Sequence, residues 1–141
     1  MSEIVFVDTN ILIYAHDVDA GAKRSRAAEK LRQLWESGAG RLSVQVLQEF
    51  YVNVTQKLAT PVARSTAREV VGSYGAWIRE STTAETVIRA IDIAALAQIS
   101  FWDALIVASA EQAAAIEIYS EDLNPGQTIA GVNIVNPLAA S

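Results

Sequence analysis

The chain has 141 residues, of which 51% are hydrophobic and 19% charged, and its formal net charge is −5. This length predicts one domain, and the hydrophobic fraction excludes a disordered or collagen-like chain. The absence of cysteine and the single histidine, His16, exclude disulfides, thiolate zinc sites, cysteine nucleophiles and metal sites built from several histidines.

The hydrophobic residues are distributed in short runs. None of these runs approaches the length that a membrane-spanning helix needs. Residues 1–3 carry no basic segment, and Asp8 interrupts the apolar stretch that follows, so a secretory signal is not expected. We therefore expect one domain over residues 1–141, located in the cytoplasm and without a membrane partner.

The charges are unevenly distributed along the chain. Residues 1–22 contain four acidic residues and no Lys or Arg, and residues 90–141 contain six acidic residues and no base. All eleven Lys and Arg residues lie within residues 23–89, together with six acids. The net charge alone argues against a nucleic-acid partner, but this distribution provides a basic block that can contact phosphates.

Hydrophobic periodicity predicts four strands separated by helices. In chain order the predicted elements are a strand at 4–7, a helix beginning after Asp8, a helix at 22–37, a weak strand at 41–44, helices at 46–58, 62–80, 84–97 and 103–115, a strand at 116–119, a loop at 122–126 and a strand at 132–135. Trp35 is expected in the core. Gly72 and Gly75 indicate either a weak helix or a close approach by another element.

Strands that alternate with helices are typical of a parallel sheet covered on both faces. The pattern predicts an α/β fold, a three-layer α/β/α sandwich around a central, mainly parallel sheet. In such sheets ligands bind beyond the carboxyl ends of the strands.

Four acidic residues fall at such positions. Asp8 follows the first strand, Glu49 lies in the opening turns of the helix after the second, Asp103 opens the helix at 103–115, and Asp122 follows the strand at 116–119. Carboxylates repel one another and are costly to bury unpaired, so a cluster of them is best explained by a hard divalent cation such as Mg²⁺ or Mn²⁺.

Each acid also has a purely structural explanation. Asp8 is a suitable helix N-cap, and Ser100 with Asp103 fits a capping box. Glu49 could lie on the polar face of its helix, and Asp122 could belong to a turn. Four acids at one edge of the sheet favour the metal interpretation over these separate explanations.

The segments that carry the acids resemble the motifs of PIN-domain nucleases. Residues 7–14 (VDTNILIY) resemble the opening motif and residues 46–50 (VLQEF) the second acidic motif. Residues 101–110 (FWDALIVASA) are similar to the third motif, the most specific of the set, and residues 119–124 (YSEDLN) to the fourth. Within the family, the similarity is greatest to VapC-type toxins of bacterial toxin–antitoxin pairs.

The resemblance implies a ribonuclease that depends on Mg²⁺ or Mn²⁺ and leaves a 5′-phosphate and a 3′-hydroxyl. Its catalytic and metal-binding residues would be Asp8, Glu49, Asp103 and Asp122, with Asp8 and Asp103 as the first choice for direct ligands. Asn10 and Ser120 match supporting positions that line the family's site by hydrogen bonding. The motif favours Asp122 over the adjacent Glu121, although either carboxylate could bind the metal.

A pocket of four carboxylates repels RNA unless positive charge surrounds it. The basic helix at 22–37 could supply that charge, and its candidate RNA-binding residues are Lys23, Arg24, Arg26 and Lys30; the alternative is a solvated helix face. The family also implies a small cognate antitoxin as partner, and a homodimer is expected. A catalytically inactive PIN-like module that binds RNA or a protein is the alternative function.

Overall fold

The structure is a computed structural model that describes residues 3–139. Met1, Ser2, Ala140 and Ser141, which belong to the predicted domain, lie outside the described residues. The elements are β1 (Val5–Val7), α1 (Thr9–His16), α2 (Ala22–Ser37), β2 (Gly40–Arg41), α3 (Val44–Gln56), α4 (Arg64–Tyr74), a 3₁₀ helix (Gly75–Trp77), α5 (Ala84–Ala97), α6 (Phe101–Gln112), β3 (Glu117–Tyr119), β4 (Thr128–Ile129) and β5 (Val132–Val135).

The five strands form one sheet in the order β2-β1-β3-β5-β4. The pairs β1–β2, β1–β3 and β3–β5 are parallel, and β4 pairs with β5 antiparallel. From β1 the chain crosses to β2 on one side of it, and then back over β1 to β3 on the other side. Because crossovers between parallel strands are right-handed as a rule, connections that run in opposite directions place their helices on opposite faces of the sheet. The predicted α/β sandwich with a mainly parallel sheet is confirmed.

The reversal of strand order at β1 positions a ligand crevice. Ligands in open parallel sheets bind where the strand order reverses, beyond the carboxyl ends of the strands. Asp8 follows β1 and Ser120 follows the adjacent β3. Two backbone bonds hold them at this edge, from Asp8 N to Tyr119 O at 2.9 Å and from Ser120 N to Val135 O at 3.0 Å.

Two predicted elements are shorter in the structure, and one strand was not predicted. The strand expected at 41–44 covers only Gly40–Arg41, because Ser43 is the extended N-cap residue of α3, which begins at Val44. The helix expected at 62–80 ends at Tyr74 and continues as one 3₁₀ turn. The strand β4 was not predicted, because its two residues are too few to show alternation; a two-residue loop with positive φ at both positions joins it to β5.

The hydrophobic core surrounds the sheet and α6. Residues 104–110 of α6 are all buried, including the polar Ser109 that ends the apolar run at 104–108. Trp35, which was expected in the core, is 42% exposed and covers the edge of the core by packing on Tyr74 and Trp77. Among residues 3–139 no single helix is long and apolar enough to cross a bilayer; α5 and α6 reach that length only as a pair bent by 116°.

Gly40 is the glycine at which the structure requires the absence of a side chain. A Cβ atom there would lie 2.6 Å from two carbons of the Trp77 ring, and Trp77 is itself buried against Trp35 and Tyr74. A Cβ at Gly72 or Gly75 would meet no heavy atom within 4 Å. The close approach therefore occurs at β2, and not within α4.

Replacing Gly40 by Ala should destabilise the fold by roughly 1–3 kcal/mol, since the tightly packed Trp77 ring must move. Thermal unfolding followed by circular dichroism measures the effect. Gly72→Ala is the matched control: it adds a methyl group to an exposed helical position and should be neutral or stabilising by up to about 1 kcal/mol. Equal melting temperatures for the two variants would contradict the packing at Gly40.

Candidate active site

A cavity of about 550 Å³ lies at the carboxyl ends of β1 and β3. Its wall contains all four acids singled out from the sequence, Asp8, Glu49, Asp103 and Asp122. They come from four separate parts of the chain: the end of β1, the middle of α3, the first turn of α6 and the loop after β3. The fold therefore brings the four predicted site residues to one place.

Asp8 is the buried member of the set, with 7% of its surface exposed. It caps α1, because its Oδ1 accepts a hydrogen bond from Thr9 N at 2.7 Å. Burial raises the pKa of Asp8 to about 6; the hydrogen bonds from Ser120 and Thr9 oppose this shift, and the charges of Asp122 and Glu49 add to it. The capping explanation and the site explanation thus both apply to this residue.

Asn10 and Ser120 connect Asp8 to Asp122. Asn10 Nδ2 donates to Asp122 Oδ1 at 2.8 Å and to Asp8 Oδ2 at 3.2 Å. Ser120 Oγ donates to Asp8 Oδ2 at 2.8 Å and lies 3.3 Å from Asp122 Oδ1. These neutral donors reduce the repulsion between two neighbouring carboxylates and fix their orientation.

Glu49 is held from the side of α1. Thr9 Oγ1 donates to Glu49 Oε1 at 2.6 Å, and Gln45, one turn earlier on α3, lies with Nε2 3.4 Å from Glu49 Oε2. Thr9 is buried. Its position directly after Asp8 in the sequence does not predict that it contacts Glu49. Its contact to Glu49 spans 40 residues and becomes visible only in the folded chain.

Asp103 is exposed in the first turn of α6. Its backbone N donates to Ser100 Oγ at 3.1 Å, which is the first half of the predicted capping box. Within residues 3–139 no side chain or backbone group is hydrogen-bonded to the Asp103 carboxylate, so the reciprocal half is not formed. This carboxylate therefore lines the cavity without a hydrogen-bond partner among the described residues.

The two adjacent acids after β3 have different partners. Glu121 Oε2 is paired with Lys23 Nζ at 2.8 Å, and Glu121 Oε1 accepts from Tyr14 OH at 2.6 Å. Lys23 and Tyr14 lower the pKa of Glu121, and the same bond raises the pKa of Tyr14. Asp122 instead lines the cavity and is bound by Asn10. This arrangement favours Asp122 as the fourth acid.

On the nuclease activity that the PIN-like motifs lead us to expect, Asp122→Asn should lower kcat/KM at least about tenfold, because a carboxylate on the cavity wall is lost. Glu121→Gln is the matched control and should remain within about threefold of wild type, since its contacts to Lys23 and Tyr14 are partly exposed. Initial cleavage rates at saturating divalent metal measure both. A larger loss for Glu121→Gln than for Asp122→Asn would reverse the assignment.

The candidate RNA-binding residues of α2 do not line the cavity. Lys23 is engaged with Glu121, and Arg26 Nη1 lies 3.3 Å from the backbone oxygen of Leu138. Arg24 and Lys30 make no side-chain hydrogen bond to the part of the chain that the structure describes. The basic residue that does line the cavity is Lys57. The sequence gave no reason to choose Lys57 over the other Lys and Arg residues.

The donor set fits a hard divalent cation. Four carboxylates share one cavity, and within residues 3–139 none of them is paired with Lys, Arg or His. In the side-chain rotamers observed, no three Asp, Glu, His or Cys residues of the described chain are grouped tightly enough to hold an ion. Asp8 and Asp122 already lie side by side on Asn10 and Ser120, so the exposed Asp103 carboxylate, which has no hydrogen-bond partner among the described residues, is the group freest to move towards an ion.

A second, larger cavity of about 760 Å³ lies between α3 and α4. Its lining is mostly apolar and contains no carboxylate; Arg64 and Arg68 are its charged residues. It shares Gln48 and Val52 with the acidic cavity, so the two lie on adjoining surfaces of α3. Chemistry that needs carboxylates belongs to the smaller cavity.

Comparison with known proteins identifies the fold. The sequence profile of the PIN domain matches residues 5–128. VapC20 of Mycobacterium tuberculosis, a Sarcin-Ricin loop cleaving toxin, is 22% identical with a TM-score of 0.62, over 85% of this chain and 91% of that one. FitAB bound to the IR36 DNA fragment is 16% identical, with a TM-score of 0.71 over 98% of each chain.

A third solved structure agrees with these two. FitAcB from Neisseria gonorrhoeae is 16% identical with a TM-score of 0.60, over 95% of this chain and 98% of that one. The sequence matches no curated protein. At these identities the similarity to solved structures establishes the fold, and the profile match establishes the family.

Proposed function

The chain belongs to the PIN domain family, and from this premise we propose that it is an endoribonuclease that depends on Mg²⁺ or Mn²⁺. The observation that carries the proposal is the cavity in which Asp8, Glu49, Asp103 and Asp122 converge with no cation of the described chain paired to any of them. Such a surplus of negative charge matches a divalent ion and, through that ion, a phosphodiester.

Asp8 and Asp103 would bind the metal directly, and Glu49 and Asp122 would complete its environment. When bound there, the metal would activate water as a nucleophile and stabilise charge on the scissile phosphate. Glu49, which accepts a hydrogen bond from Thr9, would orient the attacking water and accept its proton. Asn10 and Ser120 keep Asp8 and Asp122 in position throughout. Attack in line with the leaving 3′-oxygen yields a 5′-phosphate and a 3′-hydroxyl.

The biological role that we propose is that of a toxin in a toxin–antitoxin pair. The structural similarity to VapC20, a Sarcin-Ricin loop cleaving toxin, supports this role. We propose a small cognate antitoxin as its partner and a homodimer as its oligomeric state. Co-expression with the product of the adjacent open reading frame, followed by rescue of growth, tests the antitoxin.

Brief induction of the protein in bacterial cells, followed by sequencing of RNA 5′-ends, tests the nuclease proposal. New ends bearing a 5′-phosphate should appear within minutes at a limited set of sites. The purified protein should produce the same ends with Mg²⁺ or Mn²⁺ and none with excess EDTA. Equal cleavage in EDTA would remove the metal mechanism, and intact RNA that nevertheless binds the protein would favour the inactive binding module.

A further inference from the structure

We propose that Trp102 forms a stacking platform for an unpaired nucleobase beside the scissile phosphate. The proposal rests on the nuclease function proposed above and adds a residue that positions the substrate through one of its bases. The Trp102 side chain is unusually exposed for a tryptophan, at 62% of its surface, and it lies on the wall of the acidic cavity directly before Asp103.

The Trp102 side chain stands on a fixed support. The ring of Phe101 packs against it at 5.1 Å between centroids and 77° between planes. The backbone oxygen of Trp102 accepts a hydrogen bond from Gln45 Nε2 at 3.2 Å, and the same nitrogen lies 3.4 Å from Glu49 Oε2. Gln45 thus couples the position of Trp102 to a carboxylate of the proposed catalytic cluster.

The cavity is elongated along α3. Gln45, Glu49, Val52 and Asn53 line it on successive turns, and Lys57 follows at the end of the helix. The distance from Gln45 to Lys57 along the helix axis is about 18 Å at 1.5 Å per residue. Trp102 contacts the Gln45 end, so the order along the groove is aromatic ring, acidic cluster and ammonium group.

This order matches a short piece of a single RNA strand. About 18 Å accommodates several nucleotides at the roughly 3.4 Å per nucleotide of stacked nucleic acid. Lys57 makes no ion pair within residues 3–139 and lies exposed, so its charge is available for a backbone phosphate. A base stacked on Trp102 must have left its own helix, because bases inside a duplex have both faces covered.

An exposed tryptophan also suits a contact between two proteins, but two observations favour a base. Trp102 shares its cavity with four carboxylates and Lys57, a polar environment in which an apolar protein surface would leave charges unpaired. Among the other exposed large apolar residues of the described chain, Val52 alone lines this cavity, whereas Ile88, Ile91 and Leu96 belong to α5.

The test combines substitutions at Trp102 with abasic RNA. The probe is a fluorescein-labelled single-stranded RNA of about 12 nucleotides, within the site sizes known for single strands. The RNA contains a phosphodiester bond that the 5′-end sequencing has shown to be cut, or has a mixed sequence if no cut bond is found. A series of abasic RNAs is made from it, each lacking the base at one position. Anisotropy in Ca²⁺ gives Kd, and cleavage in Mg²⁺ gives KM and kcat.

Trp102→Ala should raise Kd and KM about tenfold, within the range of about 5- to 150-fold measured for one stacked base. Trp102→Phe should remain within about threefold of wild type, because it keeps an aromatic face. One abasic position should weaken wild-type binding by a similar factor and leave Trp102→Ala unaffected, since the two changes remove the same contact. Annealing the probe to its complement should abolish tight binding.

Leu96→Ala is the matched control, an exposed apolar residue outside the cavity whose loss should not change Kd. Absence of coupling at every abasic position, while the wild type cleaves RNA, would overturn the platform and leave the nuclease proposal standing. Coupling in Kd without any cleavage would refute the nuclease proposal alone. A loss of dimerisation in Trp102→Ala with unchanged RNA binding would assign the ring to a protein contact instead.

Discussion

Asp103→Asn should lower kcat/KM for RNA cleavage at least about hundredfold, the scale of losing one essential electrostatic group. The carboxylate of Asp103 is exposed on the cavity wall and has no hydrogen-bond partner in the described part of the chain, so the variant keeps the fold intact. Initial rates over a range of Mg²⁺ concentrations measure the loss and separate weaker metal binding from slower chemistry.

Asp92→Asn is the matched control for this experiment. It makes the same chemical change at an exposed helical position, but Asp92 lies on α5 and outside the cavity. Its activity should remain within about twofold of wild type, since isolated surface charges contribute little. The melting temperatures of both variants should match that of the wild type. An Asp103→Asn variant that cleaves RNA at the wild-type rate would refute the role assigned to this acid.

Mg²⁺ should stabilise the wild-type protein and have little effect on Asp8→Asn. An ion that binds only the folded state adds about 2.7 kcal/mol to the free energy of unfolding at a hundred times its Kd. Thermal unfolding at increasing Mg²⁺, with NaCl of equal ionic strength as control, detects this without any activity measurement. A wild-type melting temperature that does not respond to Mg²⁺ or Mn²⁺ would contradict the metal site.

The pH dependence of the same two proteins gives a second readout. The folded-state pKa of Asp8, about 6, lies above its ordinary value of 3.8, so folding favours the protonated form. The associated stability is fully present below about pH 3.8 and is lost as the pH rises through 6, a change of about 3 kcal/mol at 1.36 kcal/mol per unit.

Without added metal, Asp8→Asn should therefore gain stability relative to wild type as the pH rises from 3.8 through about 6, the window that these pKa values define. The difference between the two proteins isolates Asp8 from other titrating groups. The hydrogen bonds that Ser120 and Asn10 donate to Asp8 Oδ2 are weakened by the substitution, and their loss will offset part of the gain in stability. A difference that shrinks as the pH rises would contradict the burial of an ionised Asp8.

The position of the acids was accessible from the sequence because it depends on local structure. A short apolar run followed by Asp8 predicts a strand and its carboxyl end, and Ser100 with Asp103 predicts the start of a helix. The alternation of strands and helices then places the carboxyl end of β1 at one edge of a parallel sheet, whereas Asp103, whose helix follows α5 and not a strand, reaches that edge only through tertiary packing. The PIN-like motifs added the family, which the profile match over residues 5–128 confirms.

The elements that were predicted wrongly are those with too little local signal. The strands β2 and β4 have two residues each, too few to show a hydrophobic pattern of their own. They are strands because they pair with a neighbouring strand. Gly40 shows the same limit, because its need for glycine comes from the Trp77 ring, 37 positions away in the sequence.

The sequence by itself determined the fold class, the family and the order of the four acids, since these follow from periodicity and from motifs of a few residues. Only the tertiary structure decided which neighbours each acid has. It directed Glu121 to Lys23 and Tyr14, connected Asp122 to Asp8 through Asn10, and brought Trp102 and Lys57 to the same cavity. These contacts join residues far apart in the chain, and their distances depend on how helices cross the sheet, which no local pattern encodes.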